Sequence, residues 1–586
     1  MGYIQVKEAN CKNCYKCLKH CDVKSISYIN DRVEVIADQC ILCGHCVNVC
    51  PQKAKTVVND ITRILDWLAD PAVRVVASLA PSYAGLYGDA AKGESPAKLR
   101  QALRRLGFDA VEETAVGANE VTAEYKRILD EGTMDCVLTT CCPTVNSLIT
   151  KYYPSLVPYM APVVSPVLAH GRMIKARDGA GTRVVFIGPC LSKIKEIDDH
   201  PESADGVITF RQLDELLAER GLEPAGLPAP EDPSDGEECP PVLPTPFSRI
   251  YPVPEGIVRD VKLHSHKGFG SSAYNGYRFL SVCGLENVMA FLDELEAGGC
   301  GRLFVELNSC EGGCVGGPLI PEARRAAYRA RLSVEEYAAE QFEIIKRTDT
   351  DLSLAFAPEA RREDMPDERT IRKILTEIGK PTPDKELNCG SCGYNTCRDK
   401  AIAVYRGKAE LYMCLPYMID LSQSLSNVTL SVTPNYIIAV DRDLRIVEFN
   451  QMAQKKFGIS RQEALKADLF EYLDPEDFQE VLDTHRNIVN KKTHFESKET
   501  VVEETLMYVP EQDIVIGFFK DITDEEKQKA AAQHARLEAA EMAQKVIDKQ
   551  MTVAQEIASL LGETTAETKV TLVNLKKQML NEGDPS

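Results

Sequence analysis

The chain of 586 residues has no surplus of basic side chains, no long apolar run and, beyond Cys414, no cysteine. Its 68 Lys and Arg face 88 Asp and Glu, a formal net charge of -20. That balance repels phosphate backbones and argues against a nucleic-acid partner. The acidity is spread along the chain and so mainly serves solubility. No apolar stretch reaches the roughly 18 residues that a bilayer span requires, and the opening MGYIQVKEANCKNC lacks a secretory apolar segment. A cytoplasmic protein with no membrane partner is therefore expected. With 44% hydrophobic and 27% charged residues the chain is ordinary globular protein, and its length implies about three to five domains.

What is abundant is cysteine, 21 in all. A reducing compartment keeps thiols free, so dense and regular spacing points to metal ligation rather than disulfides. Cys11, Cys14, Cys17 and Cys21 form C-x2-C-x2-C-x3-C, and Cys40, Cys43, Cys46 and Cys50 repeat it, followed by Pro51. Three thiolates on a tight loop grip one face of a 4Fe-4S cubane, while the fourth reaches the neighbouring cluster. One cluster is assigned to Cys11, Cys14, Cys17 and Cys50, the other to Cys40, Cys43, Cys46 and Cys21. Structural zinc is the alternative, but zinc sites use two pairs of ligands rather than triplets plus one. Between the motifs, SISYINDRVEVIADQC predicts a hairpin turning at Asn30 and Asp31. Residues 1–60 thus form a two-cluster ferredoxin-like domain.

From about residue 70 to 345, apolar runs (VRVVASLAP, DCVLTTCCP, RVVFIGPC, RLFVELNSC) alternate with charged helical stretches, the pattern of parallel α/β layers. Cys141 and Cys142, Cys190, and the pair Cys310 and Cys314 follow such runs, at the strand edge where open α/β sheets hold their sites. Five inert core cysteines are the alternative reading.

The words themselves are more specific. TTCCP, FIGPCLSK and NSCEGGCVGG, in that order and after APS at 80–82, resemble the three signature motifs of the iron-iron hydrogenases. The resemblance covers roughly residues 1–320. It implies an H-cluster whose cubane is held by Cys142, Cys190, Cys310 and Cys314. Cys314 would also bridge to a diiron unit carrying CO, cyanide and a dithiolate amine. By the same resemblance Cys141 passes protons to that amine and Lys193 donates a hydrogen bond to a cyanide. H2, protons, a ferredoxin-like electron carrier and hydrogenase maturation proteins are the partners implied.

The departures bear on rate. Two methionines of fast family members are replaced by Gly188 and Asn308, and two relay glutamates fall at Tyr125 and Ile128. The relay serine is Ala161, and two glutamines are Val167 and Leu168. Glu124 or Asp130 is left to substitute. Loss of a positioned acid-base group costs roughly 100- to 10,000-fold, and an altered supporting contact roughly 10- to 100-fold. Slow turnover, suited to detection, is the expectation.

A Pro-, Gly- and acid-rich stretch from about 220 to 260 is expected to be a long surface loop, with Cys239 an exposed thiol. Cys136, Cys283 and Cys300 are read as core or structural. Within 365–420, Cys389, Cys392, Cys397 and Cys414 resemble the small Fe-S domain of corrinoid proteins, implying a third accessory 4Fe-4S cluster; zinc is the alternative. Residues 423–525, with NYIIAVDRDLRIVEFN and an IVIGFFKDITDEEKQ exit, resemble a PAS domain. Without a cysteine there, a photoreactive flavin-cysteine adduct is excluded.

In 526–586, Ala539, Ala543, Val546, Gln550, Val553, Ile557 and Leu560 are spaced as a coiled-coil seam; a single helix packed on its own PAS domain is the alternative. A homodimer acting on a separate output protein, a kinase or phosphatase, is expected. Three functions follow: an H2-responsive sensory hydrogenase, a ferredoxin-linked catalytic hydrogenase, and a non-catalytic Fe-S sensor or scaffold.

Overall fold

The computed structural model describes residues 2–88, 94–228, 248–264, 273–298, 301–339, 349–359, 364–495, 500–561 and 565–581. Cys239 and Cys300 lie outside them. The chain divides into two compact units, Met1–Tyr417 and Met418–Ser586.

In the first unit, Ile26–Ile29 pairs antiparallel with Arg32–Val35. Asn30 and Asp31 between them take φ of 50° and 59°, the left-handed pair that a two-residue hairpin turn demands. Ile4–Val6 pairs with Lys55–Val57 and closes this domain. The middle of the chain builds two four-stranded sheets. One is all parallel, in the order Ala110–Glu113, Val75–Leu79, Arg183–Gly188, Gly206–Thr209. In the other, Tyr277–Cys283, Leu303–Asn308 and Cys136–Leu138 run parallel, with Ala273–Tyr274 antiparallel at the edge. Val75–Leu79, Leu303–Asn308 and Cys136–Leu138 are buried at every position, as expected of parallel strands covered on both faces.

The stretch from 220 to 260 is not loop throughout. Ser248, Arg249, Ile250, Tyr251 and Val253 are buried. The cause is a buried ion pair: Arg249 donates from Nε and Nη2 to the two carboxylate oxygens of Glu113, both at 2.8 Å, and Tyr337 also donates to that carboxylate at 2.9 Å. A desolvated charge needs such a partner, and the pair draws the following residues inward.

A small helical domain completes the unit. Asp367 caps helix Glu368–Glu377, and Thr396 and Asp399 form a capping box on helix Cys397–Tyr405. Ile371, Leu375 and Ala401 form its core. It docks on the ferredoxin hairpin: Tyr28 N–H donates to Lys408 O at 2.9 Å, Asn30 N–H to Glu410 Oε1 at 2.5 Å, and Lys24 Nζ to Gly393 O at 3.1 Å.

The second unit is built on a five-stranded antiparallel sheet in the order Ile446–Phe449, Tyr436–Val440, Ile514–Asp521, Thr500–Val509, Ile488–Phe495. Strand Ile514–Asp521 runs on into helix Thr523–Leu561, and helix Thr565–Asn581 packs against that helix. Ala540 and Ile547 are the buried positions of helix Thr523–Leu561 among the described residues, whereas Val546, Val553 and Ile557 of the expected seam are exposed. Among the described residues no helix is long and apolar enough to cross a membrane.

An acid-sensitive tie joins the parallel sheet to its covering helix Pro166–Asp178. Glu112 is buried, accepts from Arg177 Nη2 at 2.6 Å and lies 3.3 Å from His170 Nε2. Burial alone would raise its carboxyl, but the His170 and Arg177 hydrogen bonds outweigh it and hold it at about 2, against 4.5 unperturbed. A depressed folded value stabilises above pH 4.5 and is lost as pH falls towards 2, on the order of 3 kcal/mol. Glu112→Gln is therefore expected to lower the urea midpoint at pH 7, with the gap to the parent closing between pH 4.5 and about 2. A gap independent of pH would refute this tie.

Candidate functional site

Each cysteine loop of the middle domain leaves the C-terminal end of a parallel strand. Cys141 and Cys142 follow Cys136–Leu138 and enter helix Pro143–Tyr152. Cys190 follows Arg183–Gly188, and Cys310 and Cys314 follow Leu303–Asn308. All five thiols line one pocket, together with Lys193, Tyr251 and Asn308. Two glycines are needed there. Gly313 has φ of 76°, and a Cβ on it would come within 2.5 Å of Pro252 O. A Cβ at Gly188 would meet the Phe186 ring at 2.5 Å; Phe186 lines the pocket, so this aromatic ring leaves no room for a longer side chain at 188.

Burial raises the Cys190 thiol, with Cys142 adding, and raises Cys310 and Cys314 strongly, with their neighbouring thiols adding. Crowded, desolvated thiols hold their protons until a cation takes their place. Cys190 Sγ lies 3.1 Å from Ser192 Oγ. Lys193, buried, donates to Glu196 at 2.6 Å and to Cys141 O at 3.4 Å.

Cys141 stands apart from the four. Burial pushes its thiol up to about 12, against the opposing influence of Tyr125 and Lys193. Tyr125 OH lies 3.2 Å from its Sγ and 3.4 Å from Thr140 Oγ1, and accepts the Thr140 N–H at 2.9 Å. Ile128 and Ala161 are buried. Glu124 pairs with Arg127 at 2.8 Å and Asp130 with Lys126 at 2.7 Å.

Sequence reasoning missed Glu306. It is fully buried and accepts from the N–H groups of Glu255 and Ile257 at 3.0 Å and Val258 at 3.1 Å, from Ser281 at 3.1 Å and from Asn308 at 2.9 Å. Burial nevertheless raises it to about 7, and its charge raises Cys141 in turn. A glutamate inside the apolar run RLFVELNSC was the available signal.

In the ferredoxin part, burial raises Cys17, and the thiols that add to it are Cys50 and Cys11. Cys43 is raised strongly by burial, with Cys21, Cys46 and Cys40 adding. The thiols thus gather in two groups, each completed by the fourth cysteine of the other motif; Cys14 is exposed. The second group abuts the middle domain: a Cβ at Gly44 would come within 2.6 Å of Pro318, a pocket residue, and Lys151 Nζ donates to Cys40 O at 3.1 Å. Cys389, Cys392, Cys397 and Cys414 line a cavity of their own. Cys136 is buried, and Cys283 is partly exposed.

Among the described residues no group of three or more His, Cys, Asp or Glu stands close enough to hold a single metal ion. Thiols that ring a cavity suit a cubane, which takes each thiolate on a separate iron. The donor set therefore fits iron-sulfur clusters.

Residues 73–318 match the C-terminal domain of the iron only hydrogenase large chain. This segment is an iron-only hydrogenase domain. A 4Fe-4S dicluster domain precedes it over 3–51, a putative Fe-S cluster family matches 386–416, and a PAS fold 425–522. The chain is similar to the NADP-reducing hydrogenase subunit HndD of Solidesulfovibrio fructosivorans, 27% identical over 47% of this chain and 55% of that relative. The chain thus spans about half of that relative's length. It is also similar to the cytosolic Fe-S cluster assembly factor NAR1 of Yarrowia lipolytica, 24% identical over 32% of this chain and 44% of that protein. An apo FeFe-hydrogenase HydA1 variant from Chlamydomonas reinhardtii aligns at 22% identity and a TM-score of 0.39, over 51% of this chain and all of that structure.

Gly313→Ala combines a disfavoured backbone angle, roughly 1–3 kcal/mol, with a backbone clash beside Cys314. It is expected to lower the iron bound at this pocket, measured as iron per chain after anaerobic reconstitution, without reducing the ferredoxin share. Full iron loading would contradict the role given to this glycine.

Proposed function

We propose that this chain is an H2-responsive sensory iron-iron hydrogenase. It splits or forms H2 slowly at an H-cluster, passes electrons through three accessory 4Fe-4S clusters, and reports through its PAS domain and helical tail. One observation carries the reading: Cys142, Cys190, Cys310 and Cys314 share a pocket with Cys141 and Lys193, while a tyrosine stands at the acid relay. Cys142, Cys190, Cys310 and Cys314 would hold the H-cluster in this pocket. When bound, the diiron unit with its CO, cyanide and dithiolate ligands supplies the Lewis-acidic centre for heterolytic H2 chemistry. The Lys193 ammonium anchors a polar ligand of that unit.

Cys141 holds or yields a proton at Sγ, and the phenol of Tyr125 is its neighbour. A phenol exchanges protons near pH 7 far less readily than a carboxylate, and burial raises this one further. Cys40, Cys43, Cys46 and Cys21 would hold the cluster by which electrons leave, since the Gly44 loop among them packs on Pro318. A ferredoxin-like carrier, maturation proteins and a separate kinase or phosphatase are the partners of this reading.

Infrared spectroscopy of anaerobically matured protein tests it. CO and cyanide bands are expected, and Cys314→Ser is expected to abolish them; turnover should fall well below roughly 1,000 per second. Protein that matures with its cubane but never gives these bands belongs instead with the non-catalytic scaffolds, and fast turnover identifies an ordinary catalytic hydrogenase.

The output reading rests on the exposed stripe of Val546, Val553 and Ile557, which a second copy would bury. Deleting residues 525–586 is expected to leave H2 oxidation largely intact and remove dimerisation. Sedimentation that finds both forms monomeric, under oxidising gas and under H2, overturns it.

A further inference from the structure

Lys400 is a long cationic side chain buried to 1% exposure in the wall of the cavity ringed by Cys389, Cys392, Cys397 and Cys414. It lies one turn after Cys397 on the same helix, so the two share a face. Its Nζ donates to the carbonyl of Glu410 and stands 5.9 Å from the centroid of Tyr394. Neither partner carries a charge. A buried ammonium costs several kcal/mol unless negative charge faces it; Cys392 and Cys414 act on Lys400 more strongly than the Glu410 carboxylate does, and as thiolates around an iron-sulfur core they supply most of that charge. The Glu410 carboxylate is engaged elsewhere, with Asn30 N–H of the ferredoxin hairpin at 2.5 Å. Leu18, next to Cys17, fills the space over Gly393, where a Cβ would come within 2.3 Å of it.

We propose that Lys400 sets the reduction potential of the third cluster, raising it so that this cluster is the terminal electron reservoir of the first unit. The inference rests on the reading that residues 389–414 hold a 4Fe-4S centre. A tetrathiolate cluster is anionic and gains one further negative charge on reduction, so a fixed neighbouring cation favours the reduced form. The step is a one-electron uptake in which no bond breaks. The electron comes from the adjoining ferredoxin clusters: each H2 oxidised releases two protons and two electrons, of which one reduces this cluster and the other remains on a ferredoxin cluster. Lys400 acts on the cluster through its charge and is a positioning residue.

The test is a redox titration followed by electron paramagnetic resonance on the full chain with its clusters reconstituted. The third cluster's signal is identified as the one missing from Cys397→Ala. Lys400→Met is expected to weaken reduction of that cluster at least tenfold, a fall of 59 mV for one electron, with the ferredoxin signals unmoved; Lys400→Arg should retain the parent midpoint. An intact cluster with an unchanged midpoint in Lys400→Met overturns the proposal. The unmodified protein gives a reading free of any folding defect: on stepwise reduction the third cluster must fill before the ferredoxin pair, and filling last overturns the proposal equally. Zinc in place of iron at these four cysteines, seen as no iron difference between the parent and Cys397→Ala, defeats the cluster reading itself and is told apart by metal analysis.

Discussion

Four thiols brought from three distant loops into one desolvated pocket are the constraint around which the first unit is arranged. Burial and mutual proximity raise Cys190, Cys310 and Cys314, so the pocket reaches its low-energy state only when an iron-sulfur core replaces their protons. The surroundings answer to that need. Parallel strands deliver the loops at their C-terminal ends, Gly313 lets Cys314 approach beneath Pro252, and the Arg249–Glu113 pair pulls the segment bearing Tyr251 and Pro252 inward to close the wall. That last tie is a buried charge pair, valuable less for net stability than because removing either partner strands the other.

Much of this is legible from local pattern. The Asn30–Asp31 turn and the apolar runs that lead into the cysteine loops depend on neighbours in sequence, and both appear as expected in the fold. The features that are not legible are long-range. Nothing local marks Ser248 to Val253 as buried, because the partner that buries Arg249 lies on a strand far upstream. Glu306 reads as part of an apolar run, yet it accepts five hydrogen bonds from three separate segments. The helical tail divides likewise: its heptad spacing is readable, but the positions buried among the described residues are Ala540 and Ile547, one position away from the stripe that the spacing predicts. Heptad counting finds a repeat without saying which neighbouring face is covered by the chain itself.

The small Fe-S domain makes the same point from another side. Four cysteines announce a metal centre but not its address. Its place beside the ferredoxin hairpin depends on Lys24, Leu18, Tyr28 and Asn30 meeting Gly393, Lys408 and Glu410, contacts between segments nearly 400 residues apart. Docked in this way, the four-cysteine domain belongs to one compact unit with the pocket. An isolated electron carrier on a linker would behave differently.

Replacing an acid relay by Tyr125 affects protons and electrons unequally. Under the proposed function, a phenol held far above its ordinary pKa would slow proton exchange at Cys141, whereas the Gly44 loop that would pass electrons packs directly on the pocket. A fuel-metabolising enzyme loses flux by that exchange. A detector does not need flux: what it reports is the fraction of its clusters reduced, an equilibrium quantity fixed by H2 and the cluster potentials, and a slow site reaches the same equilibrium later. Bias between two output states is set by differential free energy and not by rate. The altered pocket is thus compatible with signalling for a physical reason, and the cost it carries is response time.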